Sequence, residues 1–393
     1  MSKKILVYGG SFDPPHRGHL LLLKAAFKAV RPDFCHVVPA FVSPFKSGPA
    51  ESFVSRKRLI GLALEEAFSP AERKKITVDP FECRQKRKTY TYELLRHLRR
   101  RYPCAVFYLL MGSDCALSFG KWRNYREVAA GAQLLVGLRS DTPDTTPARE
   151  ICSFRTLDGT FPPVSSTSVR SRIYSSGKVP HDVPDAVAGY IKKRGLYGLR
   201  AHKYLKTRLK PERCEHSLGV AKLARELAER HGGDPADAAL AGLLHDAGKQ
   251  YSRGRLRAFA ARHGLLRKPW LREIAQNQPS LLHSFAGAVI ARREFSVSSE
   301  DILLAVENHT LGRAGMTQLE KIIFVADASS EERGFRAARE IRAAAFKDLD
   351  AAVCKTAAMK LSHIIKGAKW FCPKGLELWN SLIRRAREKG SAE

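Results

Sequence analysis

Along the first two hundred residues, short apolar runs alternate with longer stretches in which apolar residues recur every three or four positions. Ile5 to Tyr8 is a strand run, Leu20 to Val30 is helical, Cys35 to Pro39 is strand-like and Ser55 to Phe68 is helical again. Ile76 to Val78 extends, Tyr92 to Arg101 is helical, and Ala105 to Met111 and Leu134 to Leu138 are buried-strand runs. Strands alternating with helices of this length predict a Rossmann-like α/β fold, a parallel sheet with right-handed crossovers. Ligands of such sheets sit beyond the carboxyl ends of the strands.

After Leu196-Tyr197-Gly198 the strand runs stop and the pattern becomes helical throughout, rich in Ala, Leu, Arg and Glu. Ser217 to Arg230 places Leu218, Ala221, Ala224, Leu227 and Ala228 on one stripe, and Pro235 to Leu244, Asp301 to His309 and Thr317 to Ala328 behave likewise. The pattern predicts two domains, an α/β domain over 1–198 and an all-α helical bundle over 199–393. Asp141 to Pro147 reads as a loose loop.

No apolar run approaches the roughly 20 residues of a membrane span, and no secretory leader precedes the first strand. Eight cysteines stand singly without a CxxC pair, which fits a reducing cytoplasm and excludes a disulfide framework or zinc ribbon. The net charge of +29 invites a nucleic-acid reading. However, Lys86-Arg87-Lys88 and Arg99-Arg100-Arg101 lack the interleaved aromatics of a base-stacking platform, so solvated faces and attraction of polyphosphates explain the charge better. Nucleic acid is not required.

Directly after the first strand comes Gly9-Gly10-Ser11-Phe12-Asp13-Pro14-Pro15-His16-Arg17-Gly18-His19. Paired glycines between strand and helix suit a sharp turn whose N–H groups face a ligand, and two imidazoles three apart at a helix start suit a phosphate. The string resembles the HxGH nucleotidyltransferase superfamily, and residues 4 to 198 look like bacterial nicotinate-nucleotide adenylyltransferases. Pro39 to Lys46, Thr89-Tyr90-Thr91, Gly112-Ser113-Asp114, Trp122 and Val164 to Arg170 match that family's segments in order. The chain departs from it at Phe45, where a His is usual, and at Lys86-Arg87-Lys88. The resemblance implies AMP transfer from ATP to nicotinate mononucleotide, with nicotinamide mononucleotide as the alternative acceptor. It implies His16 and His19 as catalytic residues on the α- and β-phosphates. Gly9, Gly10, Ser11, Phe12, Lys46, Gly112, Asp114, Ser166, Thr167 and Arg170 would bind the nucleotide, and Thr91 and Trp122 would line the nicotinate pocket. Mg²⁺ would accompany ATP.

In the second half, His216, His245-Asp246, His283, His309 and Asp327 are metal-ligand types that only a bundle of inward-facing helices can bring together. The other histidines (His36, His97, His181, His202, His231, His263, His363) lack such company and read as surface residues. The run from 211 to about 383 resembles the YqeK-type HD-domain symmetrical diadenosine-tetraphosphate hydrolases. The likeness rests on Glu215 to Ala221, Leu243 to Lys249, Leu282 to Ala288, Asn308 to Met316 and Leu319 to Asp327. Ser284-Phe285 and Thr310-Leu311 depart from the family pattern at the substrate rim. The resemblance implies hydrolysis of diadenosine tetraphosphate to two ADP on a dinuclear metal centre, with iron the expected metal. Its ligands would be His216, His245, Asp246, His283, His309 and Asp327, with Asp246 and Lys249 catalytic and Lys249 and Arg313 on the polyphosphate. The leading reading is therefore a bifunctional cytoplasmic enzyme, compatible with a homo-oligomer. The alternatives are the same folds on another nucleoside polyphosphate, or a basic RNA-binding protein built on nucleotide-enzyme folds.

Overall fold

In a computed structural model, which describes residues 2–41, 50–141 and 144–390, contacts divide the chain into two compact units. The first comprises 1–169 with 179–196, and the second 170–178 with 197–393.

The first unit is built on six parallel strands: β1 (Lys4–Gly10), β2 (Phe34–Pro39), β3 (Ile76–Val78), β4 (Val106–Gly112), β5 (Gln133–Gly137) and β6 (Phe154–Thr156), in the order β3-β2-β1-β4-β5-β6. Alternation along β1 decides its packing. Ile5 and Val7 enter the core on one face of the sheet, while Leu6 and Tyr8 enter a separate core on the other. Both faces are thus covered, which is why the strands read as apolar runs and not as alternating ones. The strand order reverses between β1 and β4, and that switch point is the crevice where ligands enter this kind of sheet. Sequence periodicity missed β6, whose three residues are too few to show a period.

Helix Arg17–Val30 buries Leu22, Leu23, Ala26, Phe27 and Val30 against the sheet, and it begins three residues earlier than its apolar spacing predicts. The extra turn matters, because it carries Gly18 and His19 into the helix.

The second unit is all-helical. Pro211 starts a long helix, Pro211–His231, which ends at Gly232 in a left-handed conformation (φ 74°). Asp234 then caps Pro235–Leu244 by accepting from the Ala236 and Asp237 amides. That helix is apolar almost all round and lies inside the bundle, with Ala236, Ala238, Ala239, Ala241, Gly242, Leu243 and Leu244 all buried. A Cβ on Gly242 would stand 2.8 Å from the Ala221 Cα, so glycine permits the close crossing. Its consequence is positional: the residues just after it, His245 and Asp246, are delivered to the middle of the bundle. Helices Leu282–Phe295, Glu300–Asn308, Gln318–Ser329 and Leu349–Lys366 surround it. Among the described residues no helix is long and apolar enough to cross a membrane.

Candidate active sites

Gly9 and Gly10 close β1 at the switch point. Among the described residues nothing lies within 4 Å of where a Gly9 Cβ would be, so its backbone is open on that side. Phe12 adopts a positive φ (49°) that turns its ring under the loop, 5.2 Å from the Tyr8 ring and 5.0 Å from that of His19. The ring is thus core, and only the Phe12 backbone is left for a nucleotide. Gly18 is needed for a different reason: a Cβ there would stand 3.0 Å from Val164 and 3.1 Å from the His16 ring.

His16 caps the Arg17–Val30 helix, is buried, and stacks on half-buried His19 with centroids 3.6 Å apart. The His16 backbone N–H donates to His19 Nδ1 at 3.1 Å. With Nδ1 an acceptor, the neutral His19 ring carries its proton on Nε2, as a donor on the far side of the ring. The pair sits at a helix N-terminus, where the backbone dipole also favours an anion.

Around this pair, Ser166 Oγ donates to the Pro14 carbonyl at 2.9 Å, so its hydroxyl ties the Ser166–Ser176 helix to the His16 loop. Thr167 follows it, half-buried, and Arg170 is buried on the same helix. At the end of β4 a Gly112 Cβ would stand 2.9 Å from Asp114 Oδ1. Asp114 is exposed and accepts from Arg139 Nη2 at 3.3 Å. Thr91 is the first residue of helix Thr91–Arg101, capped by Tyr90. Trp122 packs on Phe119 with centroids 5.3 Å apart, and its Nε1 is buried with no hydrogen-bond partner among the described residues. Lys46 lies outside the described residues. Sequence reasoning missed Arg56, which is fully buried and donates to the Ser11 carbonyl at 2.7 Å and the Glu51 carbonyl at 3.2 Å. A single arginine in an amphipathic helix gives no sign that it holds a loop from beneath.

In the second unit, the metal-type side chains converge. Two groups, His216 with His245 and Asp246, and Asp246 with His283 and His309, each bring their ligand atoms within 4.8 Å of one another, and they share Asp246. Asp246 Oδ1 lies 3.3 Å from His283 Nε2 and 3.7 Å from His309 Nε2, while Oδ2 lies 3.7 Å from His245 Nε2. Asp327 Oδ1 is 3.1 Å from His216 Nε2 and 3.8 Å from His245 Nε2. All four imidazoles thus turn Nε2 inward. Their Nδ1 atoms are held from behind: His245 by the Gly242 carbonyl, His283 by Ser280 and His309 by Val306, each at 2.7 Å, and His216 by Glu332 Oε1 at 2.5 Å. This is the outer support that fixes a ligating tautomer.

The electrostatics match. Burial pushes His245 down to about 4, keeping it neutral, and its Nε2 is buried with no hydrogen-bond partner among the described residues. Burial also lowers His283 and His309. For His216, burial is outweighed by hydrogen bonds to Asp327 and Glu332, and its value rises to about 9. Burial opposes ionisation of Asp246 and Asp327 too, yet the facing imidazoles hold both well below the usual carboxylate range. Ionised carboxylates and the neutral imidazoles of His245, His283 and His309 are what a divalent cation takes, His216 giving up its proton to join them, and the buried His245 Nε2, unpartnered among the described residues, shows that the residues fit one. Close packing builds the pocket: a Cβ on Gly248 would collide with the His283 backbone carbonyl. Lys249 follows it, and its charge bears on His283.

Comparison with known proteins sorts the two halves. Residues 7–172 match the cytidylyltransferase-like family and residues 213–331 the HD domain. A probable nicotinate-nucleotide adenylyltransferase/Ap4A hydrolase of Mycoplasma pneumoniae is 28% identical over 323 residues, covering 82% of this chain and 87% of that protein. A probable nicotinate-nucleotide adenylyltransferase of Gemmatimonas aurantiaca is 32% identical over 202 residues, 49% of this chain and 90% of its own. The symmetrical bis(5'-nucleosyl)-tetraphosphatase of Bacillus subtilis is 34% identical over 179 residues, 46% of this chain and 94% of its own. The chain belongs to both families.

In the nicotinate-nucleotide adenylyltransferase and symmetrical tetraphosphatase halves alike, hydrogen bonds and burial correct some of the sequence expectations. Arg313 does not face the HD site: its guanidinium closes on buried Glu320 through Nε and Nη2, both at 2.6 Å. Glu320 also takes the Thr317 amide and Asn308 Nδ2, so Arg313 completes a helix cap. The cations that do stand at the site were missed. Arg213 Nη1 lies 3.2 Å from Asp246 Oδ2, Arg333 Nη2 lies 2.9 Å from Asp327 Oδ1, and Lys360 Nζ lies 3.7 Å from Asp327 Oδ2. His36 and His202 are buried, not at the surface. His36 pairs with Asp79 at 2.9 Å and His202 Nε2 donates to the Ile173 carbonyl at 3.0 Å.

Proposed function

We propose that the chain is a two-headed nucleotide enzyme, with the division of labour at residue 198. The front half transfers AMP from ATP to nicotinate mononucleotide, giving nicotinate adenine dinucleotide and pyrophosphate. The rear half hydrolyses diadenosine tetraphosphate symmetrically to two ADP. The observation that carries the reading is Asp246 shared between two ligand groups in one chain with a stacked His16–His19 pair at a sheet switch point.

In the front half no protein nucleophile is needed. A phosphate oxygen of the mononucleotide attacks the α-phosphorus of the magnesium-bound ATP substrate, and pyrophosphate leaves from the opposite side. His19, with its proton on Nε2, donates to the phosphate that gathers charge, and His16 stacked behind it fixes the ring plane. Gly9, Gly10, Ser11 and the Phe12 backbone admit the nucleotide to the switch point. Gly112 and Asp114 flank it from β4, and Lys46, Ser166, Thr167 and Arg170 complete our assignment of the phosphate side. Trp122 Nε1 offers the unused donor to the pyridine carboxylate, with Thr91 beside it.

In the rear half His216, His245, Asp246, His283, His309 and Asp327 would hold the metals, and we assign iron to a donor set made wholly of N and O. Such a pair, when bound, makes water a nucleophile at neutral pH and draws charge from the attacked phosphoryl oxygen. Asp246 spans the two groups with its two oxygens, and burial keeps the His245, His283 and His309 imidazoles unprotonated for that task. Lys249 meets charge on the polyphosphate. A cytoplasmic setting agrees with eight cysteines that are all free thiols.

The test is product analysis of two variants. His19→Ala should lose adenylyl transfer and keep tetraphosphate cleavage, while Asp246→Ala should do the reverse. Loss of both reactions in either folded variant overturns the two-site reading.

A further inference from the structure

We infer that the rear unit carries a second nucleotide site, a groove on the outer side of the two helices leading from His283 and into His309, which takes a guanine nucleotide. The inference goes beyond the hydrolase reading and does not depend on it.

Phe285 and Glu307 each stand two positions from a metal-type ligand, Phe285 after His283 and Glu307 before His309. Two positions on a helix are about 200° apart, so both side chains point away from the ligand cluster. They line a cavity of about 220 Å³ beside helices Leu282–Phe295 and Glu300–Asn308. Leu265, Phe285 and Leu303 give it apolar walls, and the Trp270 ring backs Phe285 edge-on with centroids 5.2 Å apart. The polar groups of the cavity are unevenly committed. Arg292 and Glu300 pair at 2.6 Å and satisfy each other. Glu307 is half-buried and makes no hydrogen bond among the described residues; its ion pair is with Lys268 Nζ at 3.9 Å, beyond hydrogen-bond reach. Arg293 is exposed and likewise makes no hydrogen bond among the described residues.

A carboxylate offers two acceptor oxygens and no donor, and an ammonium offers donors only. The edge of a guanine base presents the complement in one row: two N–H donors for Glu307 and, beside them, a carbonyl oxygen for Lys268. Adenine has one donor beside an acceptor, so it leaves one carboxylate oxygen bare. Apolar walls suit the faces of the base. Spacing supports the same ligand. Glu300 and Glu307 are seven residues apart, about 10 Å along their helix, and Arg292 is level with Glu300, with Arg293 next to it. That span suits the reach from the edge of a purine to its 5′-phosphates. A base seated against Glu307 therefore brings its phosphates to Arg293, whose guanidinium donates to them. The reactions assigned to the two catalytic sites use adenine nucleotides, so base identity separates this groove from both.

The test is photolabelling of the full-length, Mn²⁺-loaded chain with 8-azido-GDP, with inorganic tripolyphosphate in excess to fill the metal centre. Tandem mass spectrometry places the label to the residue. Label should fall on the groove walls between residues 285 and 307, and Glu307→Gln and Arg293→Gln should each lower it by about tenfold or more, the scale of a lost charge-assisted hydrogen bond. Displacing it should take about tenfold more ADP than GDP, because adenine leaves an acceptor unpaired. Arg336→Gln, an exposed arginine paired with Glu340, is the control and should label as the wild type does. Arg293 lies at the surface, so its variant decides alone should Glu307→Gln fail to fold. Label that tripolyphosphate removes, label that neither substitution lowers, or equal displacement by ADP overturns the site. Tetraphosphate cleavage is assayed separately on the unlabelled chain, and its absence overturns the hydrolase reading without touching the groove.

Discussion

Replacing Glu332 separates the two halves of the rear metal site. His245, His283 and His309 rest Nδ1 on backbone carbonyls, which no side-chain substitution removes. His216 alone depends on a side chain, the Glu332 carboxylate at 2.5 Å, which Ser330 also contacts. That carboxylate helps raise the basicity of His216 to about 9 against the effect of burial. Glu332→Gln keeps an acceptor oxygen but deletes the charge, so His216 becomes a poorer donor to a cation. Outer-shell partners of this kind are worth about 10–100-fold in metal affinity, or about 1.4–2.7 kcal/mol. The loss must fall on the group containing His216 and spare the group of Asp246, His283 and His309. Mn²⁺ titration of the full-length chain, followed by calorimetry, should resolve two affinities in the wild type and a drop in one of them in the variant. Gly219→Ala should reproduce the effect without touching a charge, because a Cβ at 219 would occupy the place of the Glu332 carboxylate. Equal weakening of both affinities, or no change in either variant, refutes the reasoning.

Two further outcomes are expected. Arg313→Met should destabilise the rear unit by about 1.5–3 kcal/mol, since it leaves the fully buried Glu320 carboxylate with only the Thr317 amide and Asn308 Nδ2, while leaving tripolyphosphate affinity unchanged. A fall in affinity at unaltered stability in a denaturation series would return Arg313 to the substrate. In the front unit, burial opposes ionisation of Asp79, but its hydrogen bond and charge contact with His36 hold it below the ordinary carboxylate value. A depressed folded pKa stabilises fully above the unfolded value of about 3.9 and loses that contribution as pH falls through the lower folded value. The Tm gap between wild type and Asp79→Asn should therefore be widest at pH 6 and shrink toward pH 3. A gap that stays constant or grows on acidification contradicts the assignment.

The sheet was legible because its strands are buried on both faces and so stand out as apolar runs between amphipathic helices. Strand β6 was not, since three residues carry no period, and the first turn of the Arg17–Val30 helix was hidden because Arg17, Gly18 and His19 contribute no apolar face. What that turn does contribute is the helix N-terminus at which His16 and His19 stack, and there the Gly-Gly and His-x-x-His spacing was legible where apolar periodicity was not.

The rear site shows the same division between what residue type restricts and what it does not. Few side chains can ligate a cation, so His216, His245, Asp246, His283, His309 and Asp327 could be picked out by chemistry before any geometry was known. Their supports could not. Three of the four imidazoles are steadied by main-chain carbonyls, which have no sequence identity at all, and Glu332 reaches His216 only because Gly219 leaves room. Cations were harder still. With 68 lysines and arginines in the chain, a basic residue near a ligand motif carries almost no information. Arg313 was assigned to the polyphosphate through the family resemblance, yet the Thr317 cap places Glu320 beneath it and closes the fork. Arg213 had the better claim, being one helical turn from His216 on the same face. Helical register was thus a sounder guide to which cation reaches the ligand cluster than proximity along the loop, and it should be weighed first wherever a basic chain offers many candidates.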